Sequence, residues 1–323
     1  MADAAADLPA PFGTGVAFVT GAGGFLGGAA ATGLLRAGWT VAGFGHPPRN
    51  PDVGVELWEA GPVTRASLAA AALALGEPAV VFHAAGGGSV GASLADPEAD
   101  AARTIGSLAE TMAFIGDDAP HARLVYPSSA AVYGASQPGP IPEDAPLEPI
   151  SPYGTHKREA EALIVEAARA FGLDAVILRF FSVYGPGLRK QLPWELAGRL
   201  WAEPARVELS GDGEEVRDFL HVDDAVRLVG LAAALPRTPS PRVINGGSGR
   251  PTTVRELAQG LRAALGSPSR IAFSGEARPG DPRSLLADPG RARALGFAPR
   301  IDLGQGLRGF AGWAAAAKAR PRA

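Results

Sequence analysis

The chain has 323 residues, more than one ordinary domain, so it forms one large domain or two coupled ones. A hydrophobic share of 46% with 20% charged residues suits a soluble globular enzyme, and a net charge of −3 with no basic run excludes a nucleic-acid surface. The absence of cysteine excludes disulfide scaffolds, thiolate metal sites and thiol nucleophiles together. The opening MADAAADLPAPFGTG lacks the basic start and apolar core of a signal peptide, and the Ala-rich stretches are broken before any reaches the length of a membrane span. A cytoplasmic protein with a loose N-terminal tail and no membrane partner is expected.

VAFVT, Val16–Thr20, reads as a strand, followed at once by GAGGFLG and an Ala/Leu-rich helix to about Gly38. Gly21, Gly24 and Gly27 permit a tight turn, close approach of a pyrophosphate and packing of helix on strand. With Phe25 and Leu26 they offer backbone N–H groups and a helix N-terminus to a dinucleotide. TVAGF, Thr40–Phe44, is a second strand, ending where an acidic residue ordinarily binds the adenosine ribose hydroxyls. Here Gly45, His46, Pro47, Pro48 and Arg49 follow, so NADP is admissible beside NAD, although His46 and Arg49 read equally well as solvated loop residues.

VELWEAGPVTRASLAAAALAL gives a third strand and a helix beginning near Thr64. AVVFHAAGGG is a fourth strand, ending in Ala84, Ala85 and Gly86, small residues suited to backbone passing close to a cofactor. One long helix is predicted from Asp96. ARLVYPSSAAVYG delivers Ser128 and Ser129 to the carboxyl end of a fifth strand, the edge at which open α/β sheets bind ligands.

A proline-rich loop leads to SPYGTHKREAEALI, Ser151–Ile164, whose pattern is an amphipathic helix. Tyr153 and Lys157 fall one turn apart on one face. A phenol ionises at about 10, and an ammonium one turn away favours the phenolate, the minimum needed to take a proton from an alcohol. By itself such a pair also arises by chance on exposed helices. LDAVILRFFSVYGPG is a sixth strand and GLRKQLPWELAGRL a helix. RVELSGDGEEVRDFLHVDDAVRLVGLAAAL reads as a strand, a GDG turn, an extended stretch and a helix capped by Asp223 or Asp224. PRVINGGSGRPTTVRELAQGLRAAL repeats strand, loop and helix, and a short strand and two helices close the chain. The alternation predicts an α/β protein. A Rossmann-type, doubly wound parallel sheet comes from residues 1–181 plus about 214–246, and a smaller mixed α/β C-terminal substrate domain from about 182–213 plus 247–323.

TGAGGFLG, HAAG from His83, SSAAVYG from Ser128, SPYGTHK, LRFFSVYGPG, RDFLHVDD from Arg217, INGGSG and RPGD from Arg278 resemble, in this order, the extended short-chain dehydrogenase/reductase family. The likeness is to its NAD-dependent epimerase/dehydratase branch, which acts on nucleotide sugars, and spans Thr20 to about Asp288. It implies Tyr153 as base, Lys157 as the cation that lowers its pKa and holds the nicotinamide ribose, and Ser129 as the group orienting the sugar hydroxyl. It also implies that Arg217 and Arg278 grip the diphosphate, with Ser128, Ser182 and Lys190 lining the substrate side. His221 and Asp223 are assigned to packing and capping and His83 to the core. Lys190 or Trp194 can touch the nucleotide base, Trp194 being equally readable as core. NAD, a nucleotide-diphosphate sugar and a homodimer built on the helices following Asp96 and Tyr153 are the implied partners.

Departures from the pattern narrow the chemistry. Gly45 replaces the acidic residue, Pro62 an aspartate contacting adenine, and Ser182 and Thr104 each an asparagine. Family 4,6-dehydratases carry an acidic pair directly after the catalytic Thr/Ser, and sugar decarboxylases a glutamate in that turn, whereas Ala130 and Ala131 stand here. The expectation is a nucleotide-sugar 4-epimerase using reversible hydride transfer to a bound nicotinamide dinucleotide, with Tyr153 as acid/base. An NADP-dependent nucleotide-sugar 4-ketoreductase is the alternative. A non-catalytic dinucleotide sensor is a third reading, opposed by Ser129, Tyr153 and Lys157.

Overall fold

The computed structural model describes residues 14–46, 53–134, 139–203, 205–276 and 282–319. The first half runs β1 (Val16–Thr20), α1 (Phe25–Arg36), β2 (Thr40–Gly45), β3 (Leu57–Ala60), α2 (Arg65–Leu75), β4 (Val80–His83), α3 (Val90–Ala95), α4 (Pro97–Ala101), α5 (Ser107–Asp118), β5 (Arg123–Ser129) and α6 (Pro152–Phe171). There follow β6 (Ala175–Phe180), β7 (Ser182–Tyr184), α7 (Gln191–Ala202), β8 (Arg206–Leu209), β9 (Val216–His221), α8 (Val222–Ala234) and β10 (Arg242–Gly246). The chain ends with β11 (Pro251–Thr253), α9 (Val254–Ala264), β12 (Arg270–Phe273), β13 (Ser284–Leu285), α10 (Gly290–Ala294) and α11 (Leu303–Ala319).

Seven strands form one parallel sheet in the order β10-β6-β5-β4-β1-β2-β3. Their residues are apolar almost without alternation because helices cover both faces. Side chains of one strand alternate between those faces. Ala17, Val19, Phe82, Val125 and Leu178 pack with Ala30 and Leu34 of α1 and Leu228 and Val229 of α8. Phe18, Val81, Leu124, Tyr126 and Ile177 pack on the other side with Leu68 of α2, Phe114 of α5 and Ile164 of α6. The doubly wound sheet expected from the strand–helix alternation is present.

Outside this sheet β9 pairs with β7, β11 and β13, and β8 pairs in parallel with β12. The segment 214–246 therefore divides: β9 lies in the small sheet, whereas β10 extends the large one and α8 packs on α1. The strands flanking the GDG turn do not pair with each other, because each finds a partner from later in the chain. Helices α7, α9 and α11 close over these small sheets through Leu196, Leu257, Leu307 and Phe310.

Two local expectations change. The long helix from Asp96 is α4 and α5 joined by a π turn, Ala102–Gly106, where the Thr104 hydroxyl accepts a hydrogen bond from the Gly87 N–H (2.9 Å). Neither Asp223 nor Asp224 caps α8. The His221 Nδ1 accepts from the Asp223 N–H (3.2 Å), while the buried Asp224 carboxylate accepts from Arg227 and from the backbone of Arg300 and Ile301. Among the described residues no helix is long and apolar enough to cross a membrane.

Candidate active site

Strand order reverses between β1 and β4, and above the carboxyl ends of β1, β4, β5 and β6 lies a cleft of about 2420 Å³. One end of it is shaped by the glycine turn. The Gly24 N–H donates to the Gly21 carbonyl (2.9 Å), which turns the chain into α1, and that helix begins with no side-chain cap. Its first N–H groups are thus left to a ligand. A Cβ on Gly27 would stand 2.2 Å from the Gly21 carbonyl oxygen, so no larger residue permits this close turn. At the end of β2 the Trp58 ring lies where a Gly45 side chain would meet it, at 3.4 Å.

The opposite wall carries Ser129, Tyr153 and Lys157. Ser151 caps α6 by accepting from the Gly154 N–H (3.2 Å), Pro152 fills its first position, and the Ser93 hydroxyl accepts from the Tyr153 N–H (3.0 Å). Gly154 lets this first turn press against the turn after β5, since a Cβ there would lie 2.5 Å from the Ala131 carbonyl oxygen. That approach brings Tyr153 to Ser129, whose hydroxyl favours the phenolate and accepts from the Ala131 N–H (3.2 Å). Lys157, buried at 5% exposure, donates to the Pro127 carbonyl (2.9 Å), with its ammonium 5.9 Å from the Tyr153 ring centre and 4.7 Å from that of Tyr126.

Electrostatics here correct one expectation. Burial pushes the Tyr153 phenol above its ordinary 10, and the Ser129 hydrogen bond offsets part of that. The lysine itself is lowered to about 8, chiefly by burial. In the ligand-free protein burial is therefore the largest influence on both groups.

Beneath the serines lies a buried ion pair that nothing in the sequence locates. Arg179 donates to both oxygens of Glu161 (2.7–3.2 Å) and to the Tyr133 hydroxyl and the Glu143 carbonyl. Ser128 donates to the same Glu161 at 2.5 Å, so its hydroxyl serves the network that fixes the end of β5. His83 is a satisfied core residue, as expected: Thr20 and Thr111 lie 3.0 Å from Nδ1 and Ser107 3.2 Å from Nε2. Burial lowers it to about 3, hence neutral.

Gly21, Gly24, Phe25, Leu26, Gly27, His46, Ala84, Ala85, Gly86, Ser128, Ser129, Tyr153, Lys157, Ser182, Lys190 and Arg217 all line this one cleft. Arg49 and Arg278 lie outside the described residues. The Lys190 ammonium donates to the Gly88 carbonyl (2.6 Å), and Arg189 lies over the rings of Trp194 and Trp313 at 5.6 and 5.4 Å. Among the described residues no cluster of His, Asp or Glu is arranged to hold a metal ion.

A glycine turn after the first strand of a parallel sheet, joined in one cleft to a Ser–Tyr–Lys set on the neighbouring strand and helix, defines an extended short-chain dehydrogenase/reductase fold. The NAD dependent epimerase/dehydratase family matches residues 17–247, and the chain belongs to that family. It is 33% identical over 310 residues to a UDP-glucose 4-epimerase of Mycolicibacterium smegmatis, covering 90% of this chain and 95% of that one. A dTDP-glucose 4,6-dehydratase of Streptomyces griseus is 38% identical over 196 residues, which is 59% of this chain and 58% of the dehydratase. Several curated relatives are matched over a similar part, this chain spanning 58% to 62% of their length. The solved structure of MoeE5 in complex with UDP-glucuronic acid and NAD superimposes with a TM-score of 0.83 at 32% identity, over 94% of this chain and 100% of that one. The UDP-glucose 4-epimerase of Thermotoga maritima with UDP-glucose gives 0.82 at 26% identity, over 94% and 99%.

Proposed function

We propose that the protein is a nucleotide-sugar 4-epimerase working on a bound NAD. The observation that carries this reading is the grouping of Ser129, Tyr153 and the Lys157 ammonium in one cleft, with Ala130 and Ala131 in the turn where elimination would need an acid and base of its own. The uncapped start of α1 and the Gly21–Gly27 contact suit a dinucleotide pyrophosphate, and Ala84, Ala85 and Gly86 leave room beside it. A nicotinamide held there would supply a reversible hydride acceptor for the sugar carbon.

Tyr153 takes the proton of the sugar hydroxyl as that carbon becomes a ketone, then gives it back to the same oxygen. Ser129 orients the oxygen, and Lys157 supplies the positive charge that draws the phenol toward ionisation against its burial. Arg217 and Arg278 hold the diphosphate, so that the sugar can turn and present its opposite face. The smaller part of the chain, about 182–213 and 247–323 together with β9, carries this substrate end. The relatives named 4-epimerase and the solved complexes with UDP-sugars support the reading.

An NADP-dependent 4-ketoreductase is the second reading, favoured by the absence of a carboxylate at Gly45. Pairing with a second copy through α5 and α6 is supported by the exposed Leu163 and Phe171 and the shallow apolar depression lined by Ile105, Ala162 and Leu163. Redox balance separates the two reactions. Denaturing the purified protein and identifying the released dinucleotide yields NAD for the epimerase, whereas turnover that requires added NADPH and a 4-keto sugar makes it a reductase. Tyr153→Phe abolishes epimerisation and leaves dinucleotide retention intact; substantial residual turnover removes Tyr153 from the role of base.

A further inference from the structure

Asp100 sits on α4 with no exposed surface, between α6 and the loop after β4. One carboxylate oxygen lies 2.7 Å from the Nδ1 of His156, the residue immediately before Lys157. The other has no hydrogen-bond partner and lies against Gly87, where even a Cβ would come within 2.0 Å of it. Gly87 lines the cleft, so the carboxylate is stored just under its floor. A buried polar atom without a partner needs an explanation, because leaving it unsatisfied has a cost.

The charges facing Lys157 supply one. Glu161, on the same helix, is committed to Arg179 and Ser128. Lys190 is a like charge, His83 on β4 is held neutral, and Tyr126 on β5 and Tyr153 on α6 present rings and phenols. Asp100 is the acidic group whose field favours the Lys157 ammonium most. It disfavours the Tyr153 phenolate at the same time, so it is placed for the lysine and not for the tyrosine.

We propose that Asp100, buried beneath Gly87 and held by His156 at the start of α6, is a positioning residue whose carboxylate supports the buried Lys157 ammonium in the reaction. Its catalytic consequence rests on the epimerase reading above, whereas its electrostatic consequence does not. The unpaired oxygen is then a deliberate reserve of negative charge, screened from water by Gly87 and worth more in that setting than at the surface.

Competitive acetylation of the NAD-free protein, read by mass spectrometry at Lys157 across pH, measures the lysine directly and needs no turnover. Wild type titrates at about 8. Asp100→Asn titrates lower by roughly one pH unit. His156→Gln, which keeps a donor for the carboxylate, titrates at the wild-type value or above it. In the epimerase assay Asp100→Asn then loses about fivefold in turnover at pH 8 but less than about twofold at pH 6.5, the ratio that such a shift of one ionisation dictates. An unmoved Lys157 in a folded Asp100→Asn protein overturns the proposal, as does equal lowering in both variants, which signals general loosening. A shifted Lys157 in a protein that epimerises nothing upholds the role of Asp100 and refutes the epimerase reading instead.

Discussion

Removing Arg179 tests whether the catalytic edge is held from below. Its guanidinium and the Glu161 carboxylate are each about 6% exposed, and Arg179 makes bonds to both Glu161 oxygens, to the Tyr133 hydroxyl and to the Glu143 carbonyl. Arg179→Met fills most of the volume but strands the glutamate charge with the Ser128 hydroxyl alone, and loss of one partner of such a pair costs about 3–5 kcal/mol. For a chain of this size that is a fall in Tm on the order of 4–7 °C. The double variant Arg179→Met/Glu161→Leu removes both charges and recovers about 1–3 kcal/mol relative to the sum of the single changes. Because Ser128 donates to Glu161 and Ser129 follows it, the single variant also loses turnover while still retaining dinucleotide. Calorimetry and urea titration of the four proteins measure the cycle. A single change costing under about 1 kcal/mol, or strictly additive costs, would refute the buried-pair account.

Gly27→Ala cannot fit its methyl beside the Gly21 carbonyl, so dinucleotide retention is lost and the melting temperature falls; fluorescence of bound NADH reports the first and thermal unfolding the second. Ser129→Ala lowers kcat about tenfold to a hundredfold with dinucleotide binding unchanged, as steady-state kinetics will show. The pH dependence of stability follows from Lys157, lowered from 10.5 to about 8. Between those values the unfolded chain binds more protons than the folded one, so ligand-free wild type gains about 2–3 kcal/mol relative to Lys157→Met as pH rises from 8 to 10.5. Urea unfolding of both proteins at each pH checks the sign, and a difference that stays constant contradicts the burial of a charged lysine.

What could be read from the sequence was local. The Gly21–Gly27 spacing, the Ser151–Pro152–Tyr153 helix start and the apolar strands each encode their geometry within a few residues, and all took the shape expected. The strands on either side of the GDG turn did not pair, because β8 and β9 are matched to β12 and β13, about sixty or more residues further on, and turn chemistry says nothing about such partners. The π turn at Thr104 was hidden in an uninterrupted helical pattern, and the Gly87 N–H whose hydrogen bond Thr104 accepts comes from the loop after β4. Asp100–His156 and Glu161–Arg179 join residues 56 and 18 positions apart, and each member alone reads as an ordinary surface charge on an amphipathic helix or at a strand. The expectation that Lys157 lowers the Tyr153 pKa came from proximity on one turn. It failed for the ligand-free state because the sequence does not report burial, the larger effect at this site.

The most direct test of the central claim follows the anomeric and C4 proton signals of UDP-, GDP- and dTDP-hexoses by NMR during incubation with purified protein and no added cofactor. Appearance of the 4-epimer from at least one of them, with none from Tyr153→Phe, is the predicted result. A protein that retains its dinucleotide yet converts none of them, or that releases a 4-keto-6-deoxy sugar instead, contradicts it.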